Sequence, residues 1–414
     1  MLDVTIDEIG AKGDGVATVD GEALYIPYTA PGDTVRVEAG GKFGFVRKVL
    51  NPSVHRRSPD CPLYAKCGGC ALQHVTQDFY RNWKRTQIEN ALVSAKVVRE
   101  SLAETVWMPP ATRRRAQFYV ERRDREMGLG FYQRRSRKLV NVGACLILHP
   151  TLNAALPALR GVAEKTPREW LSFSMAVTLC DNGLDLDFAS QRDLAEPSPQ
   201  EIARLSSAVR SADVARASIN GDVFLTLSPP IVGVSGIKVT PPAGGFLQAS
   251  AEGQAALIDL VVAAVGKAKK VADLFSGCGT FSLPLARTAS VASFDTDVPS
   301  ISALKQAAAS NQSDGLRPVN AQVRNLFERP LMATELNVFD AIVLDPPRAG
   351  AIHQAREIAK SKVCRIISVS CNPKSFARDA KIICDGGYRL TQVTPVDQFV
   401  YSPHIELVGV FDRE

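Results

Sequence analysis

Along the first fifty residues, apolar and polar positions alternate in short runs (LDVTIDEIG, GVATVDG, EALYIPY, DTVRVEA, FGFVRKVL) separated by turn residues. A period of two over such lengths predicts half-buried strands, and so many short strands in so little chain predict a small closed barrel rather than a sandwich. NPSVHRRSPD ends that unit. From residue 74 the period changes, with Phe79, Trp83, Ile88 and Leu92 at helical spacing. RRRAQFYVE, MGLGFYQ and KLVNVGACLIL return to strand character, and residues 153–210 add two helical stretches and the strand pair MAVTLC and GLDLDF.

The last third differs in kind. KKVADLFSGCGTFSLPLA, ASVASFD, SISALKQAAASN, FDAIVLDPPRAG, AREIAKS, CRIISVSCNP and FARDAKIICDGG alternate strand runs with helices, the pattern of a parallel sheet covered on both faces. YRLTQVTPVD and HIELVGVFDR predict a closing hairpin. A chain of 414 residues exceeds one ordinary core, so about three units are expected.

Composition narrows the setting. No run approaches the roughly 20 apolar residues that would span a bilayer, and the acidic start MLDVTIDEIGAKGDGVATVDG has neither the basic head nor the apolar run of a secretory leader. The expectation is a cytoplasmic monomer with no membrane partner. In that reducing setting, nine cysteines point to metal ligation or catalysis rather than to a disulfide framework. The net charge of +6 is unevenly placed: residues 113–138 carry ten basic side chains against Glu121, Asp124 and Glu126. These bases (Arg113, Arg114, Arg115, Arg122, Arg123, Arg125, Arg134, Arg135, Arg137 and Lys138) are interleaved with Phe118, Tyr119, Phe131 and Tyr132. Cations for phosphates and rings for unpaired bases make an RNA-binding surface, although a solvated, salt-bridged face would have the same composition.

Three segments carry candidate chemistry. CPLYAKCGGC spaces Cys61, Cys67 and Cys70 as three thiol ligands short of a fourth, a set that suits zinc or an iron–sulfur cluster equally by count. Asp273-Leu-Phe-Ser-Gly277-Cys-Gly279-Thr follows an apolar strand and opens a helix, and Asp295 ends the next strand, placed to accept hydrogen bonds from ribose hydroxyls. The third glycine of a dinucleotide loop is absent, which leaves little room for a pyrophosphate and favours S-adenosylmethionine over a nicotinamide cofactor. Gly277, Asp295, Asp345 of LDPPRAG and Cys371 of VSCNP should converge at the carboxyl edge of the sheet.

A cysteine on the strand after Asp-Pro-Pro-Arg sets the chemistry. Carbon 5 of a pyrimidine is a poor nucleophile until a thiolate adds to carbon 6, and after methylation a base must remove the carbon-5 proton. Cys371 suits the thiolate and Glu406 the base. A lone strand-end cysteine also serves elsewhere as a small buried hydrophobe.

Taken together these residues resemble the bacterial RNA (uracil-5-)-methyltransferases, in particular the iron–sulfur branch that modifies 23S ribosomal RNA. The segments CPLYAKCGGCALQH, GGFLQAS, DLFSGCGTFSLPLA, LDPPRAG, VSCNPKSFARD and HIELV follow in the family's order over nearly the whole chain. The resemblance implies an α/β fold: a Rossmann-like class I methyltransferase domain, an N-terminal TRAM/OB-like β-barrel and a central iron–sulfur α+β domain. The implied boundaries are 1–57 for the barrel, 58–73 with 107–240 for the central domain, and 74–106 with 241–414 for the methyltransferase domain. It implies Cys371 as nucleophile and Glu406 as base. Gln248, Phe275, Gly277, Thr280, Asp295, Asn325 and Asp345 are expected around cofactor and target base. Cys145 is the implied fourth ligand of a [4Fe-4S] cluster, with Cys180 as competitor. Cys278, Cys364 and Cys384 are expected to be packing residues. RNA is the expected partner, with Arg113, Arg114, Arg115, Arg122, Arg134 and Arg135 as its contacts. Thr280, where the family often has asparagine, and FVYSPHIE depart from the family pattern. Transfer RNA as substrate and a non-enzymatic metal-containing RNA-binding protein are the rival expectations.

Overall fold

The computed structural model describes residues 1–123, 126–190 and 194–413, so Asp124 and Arg125 of the basic run lie outside the described residues. Six strands of the first fifty residues form one sheet in the order Leu2–Thr5, Thr34–Gly40, Phe43–Asn51, Glu22–Pro27, Asp14–Val19 and Glu8–Ile9. The two edge strands are separated in sequence by Ile6 and Asp7 alone, so the sheet must curl until its edges meet. Ile6 N–H donates to the Asp33 carbonyl at 2.9 Å and Asp7 N–H to the Val16 carbonyl at 2.8 Å, which seals the seam. Ile6, Ile26, Val35 and Val37 fill the interior.

A second sheet runs Leu139–Asn141, Glu126–Tyr132, Arg115–Arg123, Ser172–Cys180, Gly183–Ala189, Val214–Ile219 and Asp222–Thr226. The helices Pro150–Glu164 and Pro199–Arg210 bury Leu152, Leu156, Leu159, Leu205 and Val209 in a common core with Phe118 and Val120 of that sheet. Ser198 and Glu201 form a reciprocal capping box that fixes where the second of these helices begins. One sequence expectation fails here: the CLIL of Cys145–Leu148 is a turn and not a strand. The Asn153 side chain donates to the Cys145 carbonyl at 2.8 Å and accepts from its N–H at 2.8 Å, taking up groups that a sheet ladder would otherwise use.

The third sheet runs Val319–Val323, Ser290–Asp295, Lys270–Leu274, Ala341–Leu344, Arg365–Ser370, Glu406–Asp412 and Arg389–Asp397. The first five are parallel; Glu406–Asp412 is antiparallel to both its neighbours. Val271, Val343, Ile367 and Val408 face one apolar core and Ala272, Ile342, Ile366 and Leu407 another, so both faces are covered. The helix Gln77–Ser94 and the strand Arg99–Leu102 come from before the second sheet in sequence, yet the strand pairs in parallel with Arg389–Asp397 and Ile88 and Leu92 join the core of the third sheet. Among the described residues no helix is long and apolar enough to cross a membrane.

Candidate active site

Because the five strands are parallel, everything that follows their last residues gathers on one edge. Asp295 ends its strand, Asn325 lies two residues past Val323, and Asp345 and Cys371 directly follow Leu344 and Ser370. Glu406 reaches the same edge by the opposite route. It opens an antiparallel strand in which Leu407 pairs with Ser370, so register sets Glu406 beside Cys371.

The turn after Leu274 is tight. Phe275 has φ +64°, a costly conformation for a bulky residue, and its ring packs on Phe327 with centroids 5.4 Å apart. Gly277 has φ +52° and its N–H donates to Asp295 at 2.9 Å. A Cβ on Gly277 would meet nothing within 4 Å, so the turn leaves an open cradle. Gly279 is different: a Cβ there would come within 2.5 Å of Leu304, so packing demands that glycine. Thr280 is half-buried in the same turn. Asn325 accepts from Phe327 N–H at 3.1 Å.

Acids dominate this edge. Burial pushes the fully buried Asp273 up to about 7, Ser282 pulls it back, and Asp345 and Asp295 push it further. Asp345 keeps some exposed surface but is set deep, and desolvation, then Glu406 and Asp295, raise it well above the carboxylate range. Burial lifts Glu406 to about 7, against a hydrogen bond from Gln398 and the charge of Arg348. One oxygen of Asp273 and the hydroxyl of Ser276 are buried without a partner. A ligand bearing a sulfonium and an ammonium fits such a cleft: it relieves the mutual repulsion and supplies partners for the orphaned atoms.

Cys371 is half-buried on the wall of a groove of about 950 Å³ that also runs past Lys12 of the barrel, Asn90 of the long helix and Lys374. Burial, then Glu406 and Asp345, drive its thiol up to about 12, and Arg348 opposes them. Two nitrogens of the Arg348 guanidinium lie 3.3 and 3.2 Å from Nε2 and Nδ1 of His404. Gln398 bridges Gln248, at 2.8 Å, and Glu406, at 3.2 Å, which ties Gln248 into the acid-lined edge. Sequence reading missed Gln398 and His404; a lone glutamine at a strand end carries no local signal, and the histidine acquires meaning only from its contact with Arg348.

The cysteines divide as follows. Cys61, Cys67, Cys70 and Cys145 line one cavity of about 480 Å³. Burial raises Cys67, Cys70 and Cys145, and neighbouring thiols raise each of them further. Among the described residues, no group of three or more His, Cys, Asp or Glu side chains is arranged to hold a metal ion. Cys180 lies apart, buried at the end of its strand with Asp185 and Arg216 as its charged neighbours. Cys278 is buried and Cys384 half-buried, but Cys364, expected to pack, is exposed.

The basic run behaves differently from its composition. Arg114 is buried, donating to Gln254 at 2.7 Å and to the Gln248 carbonyl at 3.2 Å, and has no face left for a phosphate. Arg113 turns toward the thiol cavity, where its charge lowers Cys145. Arg115 packs over Phe246, and Arg122 donates to the Thr166 carbonyl at 3.2 Å. Arg134 and Arg135 pair with Asp14, at 2.9 and 2.5 Å, and so fasten the barrel to the second sheet. Tyr119 and Tyr132 stack on each other at 4.1 Å, and Phe118 is core. Arg123, Arg137 and Lys138 remain exposed.

Comparison with known proteins accords with this edge. Residues 236–414 match the family described as tRNA (Uracil-5-)-methyltransferase, and residues 1–39 match the TRAM domain. A Caulobacter vibrioides protein named "Uncharacterized RNA methyltransferase" is 43% identical over 418 residues, covering 100% of both chains. A Rhizobium meliloti protein of the same description is 40% identical over 416 residues, with 99% of each covered. The Pyrococcus abyssi tRNA (uracil-54, C5)-methyltransferase, solved in complex with S-adenosyl-L-homocysteine, shares the fold at a TM-score of 0.74 and 23% identity, with 99% of this chain and 100% of that chain covered. With the family match, the N-terminal domain and full-length relatives in agreement, the chain belongs to the S-adenosylmethionine-dependent RNA (uracil-5-)-methyltransferase family.

Proposed function

We propose that this protein methylates carbon 5 of one uridine in RNA, with 23S ribosomal RNA as substrate, Cys371 as nucleophile and Glu406 as base. The observation that carries the reading is the register that sets Glu406 beside Cys371 at the acid-lined edge. The methyl donor supplies an electrophilic methyl on a sulfonium, and Asp273, Asp295 and Asp345, with the Gly277 cradle, are the groups that receive it. The Cys371 sulfur bonds to carbon 6 of the ring and moves an electron pair onto carbon 5 and its adjoining carbonyl. Once carbon 5 carries the methyl group, Glu406 takes the proton from that carbon, the carbon–sulfur bond breaks, and the thiolate is regenerated. Arg348 stabilises the thiolate and the charged form of Glu406. To reach Cys371 the uridine leaves its stack, at a cost of a few kcal/mol.

Cys61, Cys67, Cys70 and Cys145 are the residues that would hold a [4Fe-4S] cluster. Their shared cavity supports this, as does a donor set whose mutual repulsion a positive centre would relieve. A single zinc ion would need the sulfurs about 3.8 Å apart, as follows from its tetrahedral bonds. Such a cluster anchors four thiolates; methyl transfer itself requires no electron transfer. The ribosomal target rests on the three-cysteine segment. We assign 1–57 to the barrel, 58–73 with 107–240 to the central domain, and 74–106 with 241–414 to the catalytic domain, and place the protein in the cytoplasm as a monomer.

The test is incubation with methyl donor and RNA containing 5-fluorouridine, whose carbon-5 fluorine cannot leave as a proton. A protein–RNA band that survives denaturation and vanishes in Cys371→Ser is expected. No band with any ribosomal or transfer RNA would defeat the reading, and a band with transfer RNA alone would replace the substrate.

A further inference from the structure

Glu406 is delivered by the loop 398–405, which joins the strands Arg389–Asp397 and Glu406–Asp412. Its centre is held by parts of the chain more than three hundred residues away. Ala71 and Leu72 both donate their N–H to the Tyr401 carbonyl, at 2.8 and 3.1 Å. On the other side of the same residue, Tyr401 N–H donates to the Tyr80 hydroxyl at 3.1 Å. That hydroxyl donates in turn to Asp397, and the buried Lys84 ammonium donates to Asp397 at 3.0 Å and to the His404 carbonyl. Tyr401 has φ +59°, an unfavourable conformation for a residue with a side chain, which persists only where its surroundings impose it. Ala71 and Leu72 directly follow Cys70. Phe399, Ser402, Pro403 and His404 of the loop line the four-thiol cavity, and His404 also lines the Cys371 groove.

We propose that the cysteine segment 61–72 is a clamp on the 398–405 loop, through which order at the thiol site fixes the position of Glu406 by way of Tyr401. The clamp rests on the reading of Glu406 as the base. Tyr401, Tyr80 and Leu72 are positioning residues in it and touch neither substrate nor cofactor. When the thiol segment is disordered, the Ala71 and Leu72 donors lose their fixed place and the left-handed Tyr401 relaxes. Glu406 then moves relative to carbon 5. Cys371, Asp295 and Asp345 stand on other strands and stay. The consequence is selective: thiol addition and donor binding survive, and proton removal slows.

The experiment compares amide hydrogen exchange in the full chain for the wild type, the Cys67→Ser/Cys70→Ser pair and Tyr80→Phe. Exchange over 398–406 should accelerate about tenfold in both variants, as expected when one or two anchoring hydrogen bonds go, with 365–370 unchanged. In turnover with unmodified RNA, kcat should fall with little change in KM, a denaturation-resistant adduct should build up, and donor affinity by calorimetry should stay within about twofold. Unchanged exchange over 398–406 in both variants, or equal acceleration throughout the sheet, would overturn the clamp. Should the cysteine pair fail to fold by circular dichroism, Tyr80→Phe, which keeps the ring, decides alone. A loop that responds in a protein giving no 5-fluorouridine adduct keeps the clamp and removes the assigned chemistry. An adduct with an unresponsive loop does the reverse.

Discussion

Cys371 and the thiols of the central region start from the same side chain and the same burial, and they differ in what faces them. Cys371 looks onto two carboxylates and one guanidinium. Cys67 and Cys70 face other thiols, and Cys145 faces Cys61 and the Arg113 guanidinium, with no carboxylate among the described residues set against any of the three. On the proposed reading, a thiol between a cation and a carboxylate becomes a thiolate only briefly, when substrate arrives. Thiols raised by burial and by one another resist charge, and the proposed cluster is the positive centre that would relieve them.

The most severe way to press this comparison is at the base. Glu406→Gln should lower turnover by about 10² to 10⁴-fold while leaving the thiol able to add, so a methylated protein–RNA adduct should accumulate and be visible by mass spectrometry. Turnover without such an adduct would mean that another group removes the proton. Next in size is Cys145→Ser, which on the cluster reading should cost roughly 2–4 kcal/mol of stability and abolish any iron that the wild type purifies with. Donor affinity measured on the same sample should not move, since Cys145 lies in the other thiol group. The smallest effect is on pH dependence. Asp273 and Glu406 are raised to about 7 from ordinary values of 3.8 and 4.5. The folded protein therefore binds protons more tightly than the unfolded chain. That stability is present in full below the ordinary values and is lost as pH rises through about 7. Melting temperature without donor should fall between pH 5 and pH 8, as a buffer series would register, and saturating donor should flatten the fall. Over the same interval the elimination step should accelerate, because only the charged carboxylate accepts a proton.

Much of this architecture was legible because it is local. Strand-to-helix alternation marked the parallel sheet, and Asp295, Asp345 and Cys371 announced themselves by ending apolar runs, where ligands gather in any sheet of this kind. Chemistry asked for a carboxylate partner and offered Glu406, but nothing local marks that it lies beside Cys371, since register between strands so far apart leaves no local sign. The basic run misled for a different reason. Side chains of an extended segment alternate between faces, so Arg114 enters the core beside Gln254 while Arg113 turns to the thiol cavity and Arg115 to Phe246, and composition counts all three alike. Lys84 was unreadable in the same way: a lysine on an amphipathic helix reads as solvent-facing until Asp397, from the far end of the chain, is found opposite it.

The strand Glu406–Asp412 follows every other strand of the sheet in sequence, yet it lies between Arg365–Ser370 and Arg389–Asp397 rather than at the rim, with Arg99–Leu102 beyond them. A ribosome synthesising this protein therefore releases a finished barrel and a complete second sheet while the early helix and strand still wait for partners. The first two sheets can form in order of synthesis; the third closes only once 406–412 has been made, so a chain cut before that strand would lack Glu406 and the strand that joins Arg365–Ser370 to Arg389–Asp397.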